Sequence, residues 1–413
     1  MAPLKTAYIL LWFPKPSETF IFREVVTLQA MGLDLSVYTL YGPASGSLSP
    51  EMKAWPGPVE RLGTPHIRRI PESIAYWKKR RPDLVRRIFR NFFLRRHSGL
   101  EKTGENLWAF ACAFELARRF ERAGIEHIHA PWAGGPATAA WIASRLTGIP
   151  FSFTARAWDI YPPDVWIGDK IRDAALARSE TGRGVDVLDS FAPGFRSKLF
   201  LTYNGVPLSA PELSPVAMAP PYHLLALGRF VGKKGYEYLL RACAMLAAEG
   251  FDFQLTLAGD GPRRRSLKRL CNRLNLDGRV SFPGFVSYDQ VPELFRRADV
   301  FVMPSVVHLS GDRDGIPLVL MEALVHRVPV VATQVSGIPE LIENDRTGLL
   351  IPQKDQKAIA DSIKTLCADR GHALELAETG RQKILDTFDP GRNYRRVYEL
   401  YERLSRPTGG SES

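Results

Sequence analysis

The stretch 312–333, DRDGIPLVLMEALVHRVPVVAT, carries two carboxylates that could do chemistry. Asp314 stands eight residues before Glu322, and Glu322 interrupts an otherwise unbroken apolar run. Burying an unpaired carboxylate costs several kcal/mol, roughly, so Glu322 needs a partner, either a core base or a ligand. The segment opens Gly315-Ile316-Pro317. Pro317 suits the first turn of a helix, where its missing N–H would have been unpaired in any case. The N–H groups of Gly315, Ile316 and Leu318 can then face an anion, helped by the helix dipole. A diphosphate at that helix end, with ribose hydroxyls on Glu322, satisfies both groups.

A second constellation is LGRFVGKKG, 227–235, a strand end running into a basic, glycine-rich loop. Arg229 can bind phosphate oxygens bidentately and Lys234 as a point charge. The Asp312-Arg313-Asp314 triplet also has the form of a DxD metal motif. Such a pair can hold a divalent cation on a diphosphate. Here the neighbouring bases supply positive charge, so no metal and no cofactor is expected.

These residues must be positioned by strand ends. Strand, loop and helix alternate along the chain: 5–13, 33–41, 125–130 and 149–155 read as strands before a Pro-rich stretch at 206–221. The rhythm then resumes with YHLLALGRF, FDFQLTLAGDG, RVSFPGF and VFVMPS. This alternation predicts an α/β chain of two doubly wound, Rossmann-like domains, with functional residues in the strand-to-helix loops. The expected boundaries are an N-terminal domain at 1–205, a linker at 206–221, a C-terminal domain at 222–387, a helix at 388–405 packing across domains, and a disordered tail at 406–413. At 413 residues the chain suits two domains of ordinary size.

LLALGRFVGKKGYEYLLRA, LTLAGDGPRRRSL, VSFPGFVSYDQVPELFRRADVFVMPS, DGIPLVLMEAL and SGIPELIENDRTGLLIP occur in that order. Together they resemble the donor domain of the retaining glycosyltransferases of family 4, which have the GT-B fold with an interdomain cleft. FPKPSETFIFREVVTLQAMG and IHAPWAGGPATAAWIASRLTGIPFSFTARAWDIY extend the resemblance toward bacterial exopolysaccharide transferases of the colanic-acid type. The resemblance implies that Asp314 faces the transferred sugar and Glu322 holds the nucleotide ribose. It also implies that Arg229 and Lys234 hold the pyrophosphate, with Gly315 and Ile316 completing the clamp. Phe285 and Val286 fall where such enzymes place the base. Asp314 replaces the usual Glu, and Arg156 stands where a His is common, so proton exchange at that position is lost.

Ser17 and Thr19 read as candidate N-caps of the first helix. The resemblance also places their loop, with His129 and Trp132, on the acceptor side of the cleft. The formal charge is +11, and 66–97 alone contains eleven Lys or Arg against two acids. Its second half, PDLVRRIFRNFFLRRH, has the pattern of a basic amphipathic helix that rests on an anionic membrane, or that covers the N-terminal sheet with its apolar face. No run reaches the length of a membrane span. Cys112, Cys243, Cys271 and Cys367 have no metal-ligand or disulfide-type spacing.

The expectation is a retaining, metal-independent glycosyltransferase taking a UDP-sugar to a lipid-linked glycan, cytoplasmic and peripheral on the inner face of the cell membrane. The alternatives are a nucleotide-sugar epimerase or hydrolase of the same fold, or a non-enzymatic membrane- or nucleic-acid-binding protein. No RNA-recognition module or stacking platform is evident, so nucleic acid is not an expected partner.

Overall fold

Strands buried on both faces read as continuous apolar runs, and such strands form parallel sheets covered by helices. The computed structural model describes residues 3–44, 48–63, 66–94, 99–208 and 218–405. Most of the Pro-rich stretch (209–217), the tail at 406–413 and the end of the basic segment (95–97) lie outside the described residues. Chain contacts divide into two units, one of 1–202 with 391–413 and one of 203–390.

The first unit holds seven strands: β1 Thr6–Leu10, β2 Leu35–Thr39, β3 Val59–Arg61, β4 His127–Ala130, β5 Phe151–Ala155, β6 Leu176–Ser179 and β7 Leu199–Leu201. Their order is β3-β2-β1-β4-β5-β6-β7, and every pairing is parallel. The order reverses between β1 and β4, so the loops after those two strands open a crevice at the carboxyl edge. The helix Pro390–Ser405 packs in this unit, with Tyr394, Val397 and Tyr401 buried beside Tyr8, Phe22 and Val25.

The basic segment forms two helices, Arg69–Arg80 and Pro82–Phe93. Ile70 and Trp77 of the first, and Val85, Ile88 and Phe92 of the second, are buried in the core with Phe110 and Phe114. The apolar face therefore covers the protein's own interior and is not available to insert into a bilayer. The arginines face out; the Arg86 side chain is 81% exposed. Beyond them Phe93 and Leu94 are exposed as well.

The second unit holds β8 Tyr222–Leu227, β9 Phe253–Ala258, β10 Val280–Ser281, β11 Val300–Met303, β12 Val330–Thr333 and β13 Leu349–Ile351. The order is β10-β9-β8-β11-β12-β13, again all parallel. Here the reversal lies between β8 and β11. The loops that follow them are 228–235 and 304–317, the two constellations singled out by residue type. Among the described residues no helix is long and apolar enough to cross a membrane.

Candidate functional site

In the second unit β8 ends at Leu227, and the chain turns through a short 3-10 segment, Gly232–Lys234, into the helix Tyr236–Ala248. Gly235 makes that turn with φ +63°, and a Cβ there would lie 2.0 Å from the Pro304 carbonyl oxygen. Only glycine allows this approach, which presses the basic loop onto the end of β11. The Val306 N–H donates to the Lys233 carbonyl at 2.8 Å and fixes the contact.

The consequence is a cluster of opposite charges. Lys234 Nζ lies 2.9 Å from Asp314 Oδ2, and Ser305 Oγ donates to the same oxygen at 2.7 Å. Lys233 Nζ lies 3.1 Å from Asp312 and 3.8 Å from Asp314. Burial alone would raise the Asp314 pKa, but Lys234 and Lys233, with the Ser305 hydroxyl, hold it below the usual carboxylate range. Asp314 is thus a buried carboxylate kept ionised. Lys233 lies between both acids of the DxD triplet and Lys234 pairs with Asp314, so two ammonium groups stand against the two carboxylates. Among the described residues no group of three metal-ligating side chains occurs.

The other donor-side candidates are placed less tightly. Arg229 is exposed and makes no ion pair among the described residues. The N–H groups of Gly315 and Ile316 donate to no protein acceptor among the described residues. Pro317 differs from expectation: it is the N-cap residue, with extended ψ of 123°, and the helix Leu318–Val325 starts one residue later. Gly315 and Ile316 form a bend before the helix, with Ile316 buried in the second unit's core. Glu322 is half-buried rather than buried, although Leu320, Met321, Ala323 and Leu324 around it are core. Its carbonyl accepts from His326 Nδ1 at 2.8 Å. Phe285 is 75% exposed and Val286 packs against the second unit's core, while the Gly284 carbonyl accepts from the Gly259 N–H at 2.8 Å.

Sequence reasoning missed two groups here. Ser305 orients Asp314, and a lone Ser gave no signal. Tyr236, 1% exposed, has a hydroxyl with no partner among the described residues. Burial, and then the Asp314 charge, push its pKa up, so it stays a neutral phenol.

In the first unit the N-cap expectation fails for Ser17 and Thr19. Glu18 occupies the cap of the helix Thr19–Ala30 without a side-chain cap bond, Ser17 is exposed, and Thr19 is the first helical residue. Glu18 is drawn away by other partners: Lys15 Nζ at 2.7 Å and Trp132 Nε1 at 3.2 Å. His129 is also not where it was expected. It lies within β4, fully buried, with Nδ1 2.7 Å from Ser152 Oγ and Nε2 3.2 Å from Thr154 Oγ1. Burial, then the nearby Arg178 charge, push its pKa well down, which makes it a neutral core histidine.

Arg156 follows β5 and is buried, although its place in the pattern suggested ligand contact. Its Nη1 meets Glu180 at 2.5 Å, its Nη2 lies 3.8 Å from Glu24, and its Nε donates to the Pro131 carbonyl at 3.2 Å. The guanidinium also lies over the Phe20 ring at 4.4 Å and the Trp132 ring at 5.5 Å. Glu24 in turn pairs with Arg178 and accepts from the Tyr8 hydroxyl at 3.0 Å. Tyr8 meets the Tyr401 hydroxyl at 3.1 Å, which ties the C-terminal helix to β1. No short motif signals this network, because Glu24, Arg178 and Tyr401 come from three distant segments.

A second buried cluster surrounds the Ala133-Gly134-Gly135 turn after β4. Asp159 accepts from the Gly134 and Arg156 N–H groups at 3.1 and 2.9 Å, and Glu105 from the Gly135 N–H at 2.7 Å. Lys170 Nζ reaches Asp164 at 3.0 Å and the Ala133 carbonyl at 2.6 Å. Burial pushes the Asp159 carboxyl up to about 7 despite the backbone donors of Arg156 and Ala133, and burial raises Glu105 as well.

Two doubly wound parallel units, with the charged loop pair at the switch point of the second, have the architecture of the GT-B glycosyltransferases. The chain belongs to the group 1 glycosyl transferases, whose family model matches residues 217–383. It is 28% identical to the putative colanic acid biosynthesis glycosyltransferase WcaL of Escherichia coli K12, over 97% of this chain and 100% of that one. It is 31% identical to a GDP-mannose-dependent alpha-(1-6)-phosphatidylinositol monomannoside mannosyltransferase of Mycobacterium tuberculosis, over 64% of this chain and 74% of that one. In fold it is similar to Anabaena Alr3699/HepE, solved in complex with UDP and glucose, with a TM-score of 0.69 at 16% identity, covering 97% of this chain and 99% of that one.

Proposed function

We propose that this glycosyltransferase is a retaining enzyme of family 4 that moves a sugar from a nucleotide-sugar donor, a UDP-sugar, to a lipid-linked glycan in exopolysaccharide assembly. The observation that carries the reading is the Lys233–Lys234–Asp314–Asp312 cluster at the switch point of the second unit. A diphosphate held by Arg229, Lys234 and the Gly315 and Ile316 N–H groups meets preorganised positive charge as its leaving-group charge grows. Asp314, ionised and oriented by Ser305, takes the sugar hydroxyls, and half-buried Glu322 takes the ribose. Phe285 and Val286 lie on the base side.

In the step itself the bond from the anomeric carbon to the diphosphate oxygen breaks. The acceptor oxygen bonds to that carbon on the same face, and its proton passes to the departing diphosphate. No general base of the protein is needed. Arg156 cannot exchange protons, and its buried pairing with Glu180 makes it a positioning residue for the Pro131–Trp132 turn. Ser17 and Thr19 remain the acceptor-side candidates of the first unit, and buried His129 is set aside. Since Lys233 and Lys234 together balance the two acids of the DxD triplet, the reaction proceeds without a divalent metal. The exposed arginines between Arg68 and Arg90 hold the enzyme on the inner face of the cell membrane by charge alone, without insertion.

The name of the Escherichia coli relative supports the pathway class; the Mycobacterium tuberculosis relative is GDP-mannose-dependent, whereas the structural neighbour was solved with UDP. Calorimetric titration with UDP and with GDP in excess EDTA tests the reading. Micromolar binding of UDP, lost in Glu322→Ala, is the expected result. A GDP preference would overturn the base assignment, binding only after Mg²⁺ is restored would overturn metal independence, and binding unaffected by Glu322→Ala would overturn the ribose contact.

A further inference from the structure

Beside the basic helices, at the carboxyl ends of β2 and β3, the first unit contains a cavity of about 490 Å³. That volume falls in the range of small-molecule sites. Tyr41, Leu62, Ile67 and Trp108 line it, together with Arg61 and His66. Trp12, Tyr41 and Trp108 stack in a row, with centroids 4.8 and 6.2 Å apart and planes within 20°.

The chemistry of the wall selects its occupant. Trp108 Nε1 already donates to the Leu40 carbonyl at 2.8 Å, and His66 Nδ1 is engaged with the Leu62 carbonyl. A sugar ring brings hydroxyls on every side and would find few partners here, so it would lose more to desolvation than it gained. An alkyl or isoprenoid chain requires no such partners. Ile67 is 47% exposed at the opening, and Arg61, Arg68 and Arg69 are exposed around it. Lys78, Lys79 and Arg80 continue the positive surface along the same helix. An apolar hole with a cationic rim is complementary to an amphiphile with an anionic head.

We infer that the cavity lined by Tyr41, Leu62, Ile67 and Trp108 takes the apolar tail of a phosphate-bearing lipid, the anchor of the acceptor itself, with the phosphate on the rim of Arg61, Arg68 and Arg69. This rests on the proposed lipid-linked acceptor and gives that acceptor a place on the enzyme.

The probe is farnesyl phosphate, titrated into the full-length protein, with inorganic phosphate and short-chain phosphatidylglycerol as competitors. The variants are Ile67→Glu, which puts a carboxylate at the mouth, and Arg61→Glu, which reverses the rim charge. Both positions are exposed, and thermal unfolding of each variant confirms that the first unit is intact. The expected result is saturable binding, weakened at least ten-fold by either substitution, with nucleotide affinity unchanged. Inorganic phosphate should compete poorly. Unaltered farnesyl phosphate affinity in both variants would overturn the cavity while leaving a lipid-linked acceptor standing. Equal competition by phosphatidylglycerol would assign the site to bulk membrane lipid and overturn the acceptor assignment. No farnesyl phosphate binding at all, with equal sugar transfer to a lipid-free glycan, would overturn both readings together.

Discussion

Replacing Glu24 by Gln tests the buried charge network of the first unit. The side chains of Glu24, Arg178 and Arg156 are 1%, 3% and 3% exposed. Glu24 is the one carboxylate paired with Arg178 among the described residues, whereas Arg156 also has Glu180. Gln keeps the shape and most hydrogen bonds but leaves the Arg178 guanidinium uncompensated, with only Tyr8, Tyr401 and the neutral His129 near it. Breaking a buried pair from one side costs about 3–5 kcal/mol. In a unit of about 200 residues each kcal/mol moves Tm by roughly 2–4 °C, so the first unit should melt about 6–20 °C lower. Scanning calorimetry can read this with the second unit as internal control: saturating nucleotide should shift only the transition of the second unit. A paired replacement, Glu24→Leu with Arg178→Met, should recover much of the loss, because no charge is then stranded. A Glu24→Gln transition within 2 °C of wild type, about the smallest shift that one kcal/mol would give, would refute the reasoning.

At the donor site, Asp314→Asn should leave nucleotide diphosphate affinity intact or raise it up to about ten-fold, since Lys234 and Lys233 lose their competitor, a gain of about 1.4 kcal/mol. Sugar transfer should fall at least about 100-fold; a proportional loss of nucleotide binding in calorimetry would show that Asp314 serves the diphosphate instead. The Asp159 carboxyl, at about 7 in the folded unit, keeps a proton that the unfolded chain sheds near pH 4. Its stabilising effect is therefore full at low pH and lost as pH rises through 7. From pH 6 to pH 8 the stability difference between wild type and Asp159→Asn should move by about 1 kcal/mol toward the variant. His127 and His129, whose pKa values burial pushes down, have the opposite slope, but it is common to both proteins and cancels in the difference. Urea midpoints at the two pH values measure this, and a constant difference would mean that Asp159 is ionised in place. Arg86→Glu with Arg87→Glu should reduce sedimentation with anionic liposomes, each basic residue near the surface contributing about 1 kcal/mol, and leave nucleotide binding unchanged. Equal sedimentation would remove that helix from the membrane contact.

The sequence by itself determined the strand-to-helix rhythm, because parallel strands buried on both faces must be short apolar runs, as VFVM and VVAT are. It also singled out the loops 228–235 and 304–317 as candidates for anion handling, since glycines, lysines and paired acids there follow strand ends. It could not say which lysine meets Asp314. Only the approach of Gly235 to Pro304 decides that Lys234 takes Asp314 while Lys233 spans Asp312 and Asp314. Nor could it distinguish a histidine that lines a site from one that fills a core. His129 was placed with the acceptor loop by its neighbours in sequence, and β4 carries it inside. The basic segment read equally as an anchor or a cover, since an amphipathic helix buries its apolar face on whatever lies nearest. The fold supplied Phe110 and Phe114. The Glu24 network lay furthest from view: its bonds join residues 154 and 393 positions apart. Local patterns encode which face of an element is apolar, but a buried ion pair forms between side chains that only the packed sheet brings together.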